Sequence, residues 1–210
     1  MRRVLDLPDA FSRYREIGGV LEFGVFEQAT GSDEEVITAL ASILETDDPH
    51  SWFRGEELLS LGSRSMSREA LLGDWYDASS RQLVKVGTWQ SKDGAIYDDP
   101  ILTELEGVAI KSGGSPVPKL ASGGQLAFAF LEPPDTWLAK PAEIQHIFDE
   151  ILGVILPMDE PATVLDWSSA DLPKVADFFE PGLEWWGVFL FSIFLPASGR
   201  LTVVAGSASD

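Results

Sequence analysis

Cysteine is absent from the 210 residues of this chain, and histidine occurs only twice. The absence of cysteine excludes disulfides, thiolate metal sites and cysteine nucleophiles together. Because small secreted domains usually carry a disulfide framework, it also favours a cytoplasmic location. His50 and His146 each stand beside acids, but no second histidine is placed to complete a metal site with either. The sequence therefore predicts no metal and no cofactor.

Long apolar runs are also missing. Residues 185–195 carry no charge, but this run is far shorter than the ~20 residues that a membrane-spanning helix needs, and Pro196 ends it. Near the N-terminus, Asp6, Pro8 and Asp9 interrupt any apolar core of a signal peptide. We therefore expect neither a membrane anchor nor an export signal.

Positive charge is scarce: 15 Lys and Arg residues stand against 34 Asp and Glu residues, which gives a formal net charge of −19. A field of this sign repels nucleic acid and anionic lipid, and it speeds the encounter with a basic partner. The sequence thus predicts a basic protein partner, no nucleic acid and no membrane. Solubility, or adaptation to salt, is the simpler explanation of the same charge.

The common catalytic motifs are absent as well. No G-x-S-x-G nucleophile elbow, phosphate-binding P-loop or G-x-G-x-x-G turn is present. Adjacent acids occur at 47–48, 98–99 and 159–160 and could serve a glycosidase or a magnesium site. Turns favour Asp in any case, however, and a chain this acidic produces such pairs by chance. The sequence names no reaction.

Hydrophobic periodicity gives a mixture of helices and strands. Ser32 and Glu35 have the spacing of a capping box before a helical pattern, and Pro141 suits the first position of a helix over 141–152. Further helices are predicted within 67–77 and 170–180, and a turn followed by a short helix within 46–62. Strands are predicted at 17–27, 125–132 and 163–167, with hairpins over 81–99 and 185–206.

Residues 185–195 are apolar on both faces when arranged as a strand. A central strand, covered on both sides, has this pattern. The alternative is an aromatic surface that another molecule covers. Trp185 and Trp186, at the start of the strand, are expected to lie nearest the surface.

Together these patterns predict an α+β fold: a mostly antiparallel sheet packed by helices and closed by a C-terminal β-hairpin. We expect residues 1–210 to form a single domain. A subdomain break is possible in the Gly- and Pro-rich stretch 111–124.

Acidity, the lack of cysteine and the lack of convergent catalytic residues favour a binding protein that is not an enzyme. Bacterial immunity proteins, which neutralise toxins, share this general profile, as do acidic proteins that mimic DNA. The sequence predicts an intracellular inhibitor that occludes the active surface of a basic partner such as a toxin effector. The predicted contacts are Asp47, Asp48, Trp52, Asp98, Asp99, Trp185 and Trp186.

Two other classes of function remain open at this point. One is a hydrolase in which clustered carboxylates act by acid–base chemistry or hold Mg²⁺. The other is an oligomerising structural or assembly subunit that uses the C-terminal hairpin as a sheet edge.

Overall fold

The computed structural model describes residues 1–119, 125–134 and 137–208. Its strands are β1 (Arg2–Arg3), β2 (Leu21–Glu27), β3 (Arg64–Met66), β4 (Tyr76–Asp77), β5 (Gln82–Leu83), β6 (Thr88–Ser91), β7 (Ile96–Asp98), β8 (Ile110–Gly114), β9 (Thr163–Asp166), β10 (Val188–Leu195) and β11 (Arg200–Ser207).

The helices are α1 (Asp9–Glu16), α2 (Asp33–Ile43), α3 (Gly55–Leu61), α4 (Arg68–Leu72), α5 (Gln125–Leu131) and α6 (Pro141–Ile155). Short 3₁₀ turns lie at Gly73–Trp75, Leu102–Leu105, Leu172–Lys174, Asp177–Phe179 and Pro181–Leu183.

A six-stranded sheet in the order β1-β2-β11-β10-β9-β3 forms the centre of the fold, and all its pairings are antiparallel. The predicted α+β class is confirmed. So is the C-terminal hairpin, in which Val188 pairs with Ser207 and Leu195 with Arg200.

The two faces of this sheet bury separate hydrophobic clusters, because alternate side chains of a strand point to opposite sides. From β10, Phe189, Phe191 and Ile193 join the cluster that contains buried residues of α1, α4, α5 and α6. Val188 and Leu190 join the cluster built with α2, α3 and the turns at 172–179. The prediction that residues 185–195 include a central strand covered on both sides is therefore confirmed.

A smaller sheet, in the order β7-β6-β8, lies outside the six-stranded one. Its β6–β7 hairpin turns at residues 92–95, which confirms the second half of the hairpin predicted over 81–99. The first half differs: β5 pairs with β4 instead. In β8, residues 110–114 pair with β6, so this part of the predicted linker belongs to a sheet. Residues 115–119 follow β8 without regular secondary structure, residues 120–124 lie outside the described residues, and the single-domain hypothesis stays a prediction.

The predicted helix starts are confirmed at two places. The Ser32 side chain accepts a hydrogen bond from Glu35 N at 3.3 Å, and Pro141 opens α6. The Glu35 carboxylate accepts hydrogen bonds from Thr30 N and Gly31 N, so it ties down the preceding turn as well. Burial alone would raise the pKa of Glu35, but these hydrogen bonds outweigh it and lower the pKa.

Two predicted elements are wrong. Residues 125–131 form a buried helix, where a strand was predicted, because an unbroken apolar run carries no period that separates the two. Residues 172–183 form successive 3₁₀ turns in place of a helix. Pro173 and Pro181, which have no N–H to donate, fall within this stretch. Among the described residues, no helix has the length and apolar character required to cross a membrane.

Candidate functional site

The loop that follows α2 is fixed against a distant part of the chain. Asp177 Oδ1 accepts hydrogen bonds from Ser51 Oγ at 3.1 Å and from Trp52 N at 3.2 Å. Next to these bonds, Arg54 N donates to Val175 O at 2.7 Å, and Phe53 forms a β-bridge with Ala176. Residues 51–54 and 175–177 therefore behave as one ordered unit.

Asp48 shapes the tip of this loop. Its Oδ1 accepts a hydrogen bond from His50 N at 2.9 Å, and its carbonyl accepts one from Ser51 N at 3.1 Å. The acids beside His50 thus close a turn; the next helix, α3, has Arg54 at its N-cap with no side-chain capping bond. Asp47 precedes Asp48 and is exposed on the same loop.

Two adjoining clefts, of about 440 and 310 Å³, lie between this loop, the end of α2 and the 177–178 turn. Asp48 and Asp177 line both of them, together with Glu45, and Glu22 of β2 lines the smaller one. No lysine or arginine is among the residues that line the two clefts. We call the pair of clefts the acidic cleft.

Trp52 and Phe53 are the aromatic residues that line the larger of the two clefts. Both are partly buried, and the Arg54 guanidinium lies 4.8 Å from the centre of the Trp52 ring. A cation at this distance over an indole is attracted to the ring, which helps to hold the side chain in place. The acidic cleft therefore combines carboxylates with an aromatic wall on a fixed loop.

Glu22, which lines the smaller of the two clefts, has a carboxyl whose pKa is shifted. Burial raises the pKa of its carboxyl, and the nearby charges of Arg15 and Arg3 oppose that rise. The Arg15 Nε lies 4.0 Å from the Glu22 carboxylate, at the limit of an ion pair. A further cation in the cleft would favour the ionised form of Glu22.

Within residues 1–119, 125–134 and 137–208, no three His, Asp or Glu side chains converge as metal ligands. A cleft of this volume suits a larger cation, such as a lysine or arginine side chain presented by another protein.

Asp98 and Asp99 lie elsewhere, at the end of β7 in the smaller sheet. Asp98 accepts a hydrogen bond from Thr88 Oγ1 at 2.7 Å. Asp99 accepts one from Gly87 N at 2.6 Å, and its own N–H donates to Gly87 O at 2.9 Å. The Asp99 carboxylate fixes the backbone at Gly87 and the Asp98 carboxylate bonds to a side-chain hydroxyl of β6, and neither residue lines the acidic cleft.

The two neighbouring tryptophans differ completely in exposure. Trp185 is 47% exposed and Trp186 is fully buried, so the prediction that both lie near the surface is wrong for Trp186. The Trp186 ring packs edge-on against Phe189, and its Nε1 donates to Glu132 O at 2.5 Å. Because this indole is both packed and hydrogen-bonded, it is part of the core and offers no contact to a partner.

The second histidine forms a surface ion pair within its own helix. His146 Nε2 lies 3.4 Å from Glu150 of the same helix. Glu143, the other acid at helical spacing, pairs instead with Arg13 of α1 at 2.6 Å.

Sequence reasoning missed three of the cleft carboxylates: Glu22, Glu45 and Asp177. Glu45 stands only two residues before Asp47, so a wider window around that pair would have included it. Nothing in the sequence indicates Asp177, which reaches the loop only through long-range contacts. Glu22 looks like an ordinary polar residue on an alternating strand.

Comparisons with known proteins return no relative: no family model matches the chain, and no curated protein or solved structure matches it.

Proposed function

We propose that this protein is an inhibitory, immunity-type binding protein that neutralises a basic partner such as a toxin effector. It acts in the cytoplasm, binds no nucleic acid, and covers the partner's active surface with its acidic cleft. The observation that carries the proposal is the acidic cleft itself: four lining carboxylates and no lining base, beside Trp52 on a fixed loop.

The fixed loop favours recognition of another protein. Binding interfaces lose affinity when a flexible loop must be ordered, and here residues 51–54 are already fixed to residues 175–177. Trp52 supplies the kind of aromatic anchor that is enriched among residues dominating binding energy.

The total charge supports the same function. A net charge of −19 attracts a basic partner at long range and raises the association rate by about 10- to 1,000-fold at low salt. An inhibitor of a nuclease-like toxin gains from such steering, because it must reach the toxin before the toxin reaches nucleic acid. The acidic cleft then provides the local contacts.

The test is affinity capture from the native host with the tagged chain, followed by mass spectrometry of the retained proteins. The expected result is a basic protein that is retained at low salt and released at high salt. When purified, this partner should lose its activity on titration with the chain. The matched variants are Glu45→Gln/Asp48→Asn in the cleft and Asp98→Asn/Glu104→Gln in the smaller sheet region, each of which removes two charges.

The cleft variant should lose the partner, and the control variant should keep it. Retention that is the same in both variants and at both salt concentrations would contradict the proposal. A light-scattering mass of twice the monomer or more, with no basic partner retained, would favour an assembly subunit instead.

A further inference from the structure

A second cleft, of about 580 Å³, lies between α6 and the β4–β5 hairpin, and it is lined by both acidic and basic side chains. Arg81 and Asp149 both line it, but neither forms a salt bridge with the other or with any other residue in the described ranges. Opposite charges that face one cleft and stay apart leave room for a ligand between them.

One buried amide positions both charged residues. Gln145 is 6% exposed, and its Oε1 accepts a hydrogen bond from Leu83 N at 2.8 Å. Its Nε2 donates to Asp149 Oδ1 at 2.8 Å and approaches the Arg81 carbonyl at 3.5 Å. Arg81 has φ of 58°, a conformation that non-glycine residues seldom adopt. The local fold thus holds the Asp149 carboxylate and the Arg81 backbone carbonyl at the same amide nitrogen.

The rest of the cleft is lined by three polar residues, Ser80, Gln82 and Thr103, and by apolar residues. Leu152, Leu156 and Met158 line it beside Gly153 of α6. A Cβ built on Gly153 would meet no atom within 4 Å, so packing does not require glycine there. Glycine is unfavourable inside a helix, and here its effect is to keep bare backbone along the cleft.

We infer that this cleft binds a free amino acid with an apolar side chain. The ligand carboxylate contacts Arg81, its ammonium group contacts Asp149, and its side chain packs against Leu152, Leu156 and Met158. A guanidinium matches the planar carboxylate with two parallel hydrogen bonds, and this pairing sets the orientation of the ligand. The inference is separate from the proposed inhibitory function and uses a different part of the surface.

The test is a titration of the full chain with L-phenylalanine, followed by the methyl resonance of Met158 and by calorimetry. Saturable binding is expected. L-Phenylalanine amide, which lacks the carboxylate, and N-acetyl-L-phenylalanine, which lacks the ammonium group, should each bind about tenfold more weakly or worse, because each loses one charge-assisted contact. These two ligands test the inference on the unmodified protein, so it does not depend on a variant that folds.

Variants locate the site. Arg81→Gln should reproduce the loss seen with the amide, and Asp149→Asn the loss seen with the acetylated ligand. Gly153→Ala should raise the melting temperature, because alanine is the better helix former, yet weaken binding by placing a methyl group in the cleft. No binding of L-phenylalanine up to its solubility, or equal binding of all three ligands, would overturn the inference.

Discussion

The loop beside the acidic cleft and the end of the smaller sheet both carry an Asp-Asp pair, but the carboxylates at the two places have different surroundings. At the smaller sheet, Asp98 and Asp99 bond to Thr88 and Gly87 and complete a hairpin. At the cleft, Asp48 and Asp177 stabilise their loop with one oxygen each and also line open space. The two pairs thus differ in their surroundings: the fold leaves a cleft beside Asp48, whereas Asp98 and Asp99 bond within a hairpin.

The largest expected effect is on affinity for a basic partner. Glu45→Gln/Asp48→Asn should weaken binding by about a hundredfold, because each lost charge contact at an interface is worth on the order of 1–2 kcal/mol. Asp98→Asn/Glu104→Gln should change it less than about threefold. Calorimetry at two salt concentrations measures both, and the salt dependence should shrink only in the cleft variant. Equal losses in the two variants would mean that total charge, and not the cleft, governs binding.

Substitutions of two tryptophans, one lining the acidic cleft and one outside it, test whether the partner binds at the cleft. Trp52→Ala should weaken partner binding by about tenfold or more, as expected for a central aromatic anchor. Trp185 is also exposed to solvent, but it is not among the residues that line the acidic cleft, so Trp185→Ala should leave affinity unchanged. Surface plasmon resonance measures the affinity of both variants for the partner. A larger loss for Trp185→Ala would move the interface to the C-terminal hairpin.

In the smaller sheet region, substitution should affect stability and leave binding intact. Asp99 has φ of 46° and bonds to Gly87 in both directions, so Asp99→Leu should cost about 1–2 kcal/mol of unfolding free energy. Asp99→Asn should cost much less, because asparagine tolerates this conformation and keeps an acceptor oxygen. Urea denaturation of the two variants is the measurement. Equal costs would show that the backbone conformation at this position is unimportant.

The smallest effect concerns Glu22. Burial raises the pKa of this carboxyl in the folded state, so the folded protein binds the proton more tightly than the unfolded chain. The resulting stabilisation is present below the unfolded pKa and is lost as the pH rises through the folded pKa. Above that range, Glu22→Gln should therefore be slightly more stable than the parent.

The carboxyl carbon resonance of Glu22 reports the pKa directly. A titration midpoint above that of a free glutamate is expected, and it should move down when a basic partner is bound. A midpoint at or below the free value would place Glu22 outside the buried part of the cleft.

Sequence patterns predicted most of the fold because the strongest patterns lie in the elements that build it. Residues 188–195 are apolar on both faces, and the strand is central in the sheet. Ser32 and Pro141 mark helix starts through purely local chemistry. The patterns failed where the neighbouring residues do not distinguish two structures. The apolar run at 125–131 has no period that separates a helix from a strand. Nothing in the sequence indicates that the Trp186 side chain is buried while that of Trp185 is exposed.

The candidate site was predictable only in part. The acids and tryptophan of residues 47–52 stand out in the sequence because they are close together. The cleft exists, however, because residues 175–177 come to lie against that loop, and such a contact between distant segments has no local signature.

In the middle of the large sheet, β2 pairs with β11, which is far from it in the sequence: Leu21 pairs with Gly206 and Phe26 with Leu201. A growing polypeptide that has completed β2 can pair it with β1, but nearly all the remaining residues must be made before its second neighbour, β11, is available. Folding rates fall when contacts connect remote positions, so this topology makes the chain a slow folder. Until then the backbone groups on one edge of β2 are unpaired and can form wrong pairings. Protection by a chaperone during synthesis would therefore matter more here than for a helical bundle of equal size.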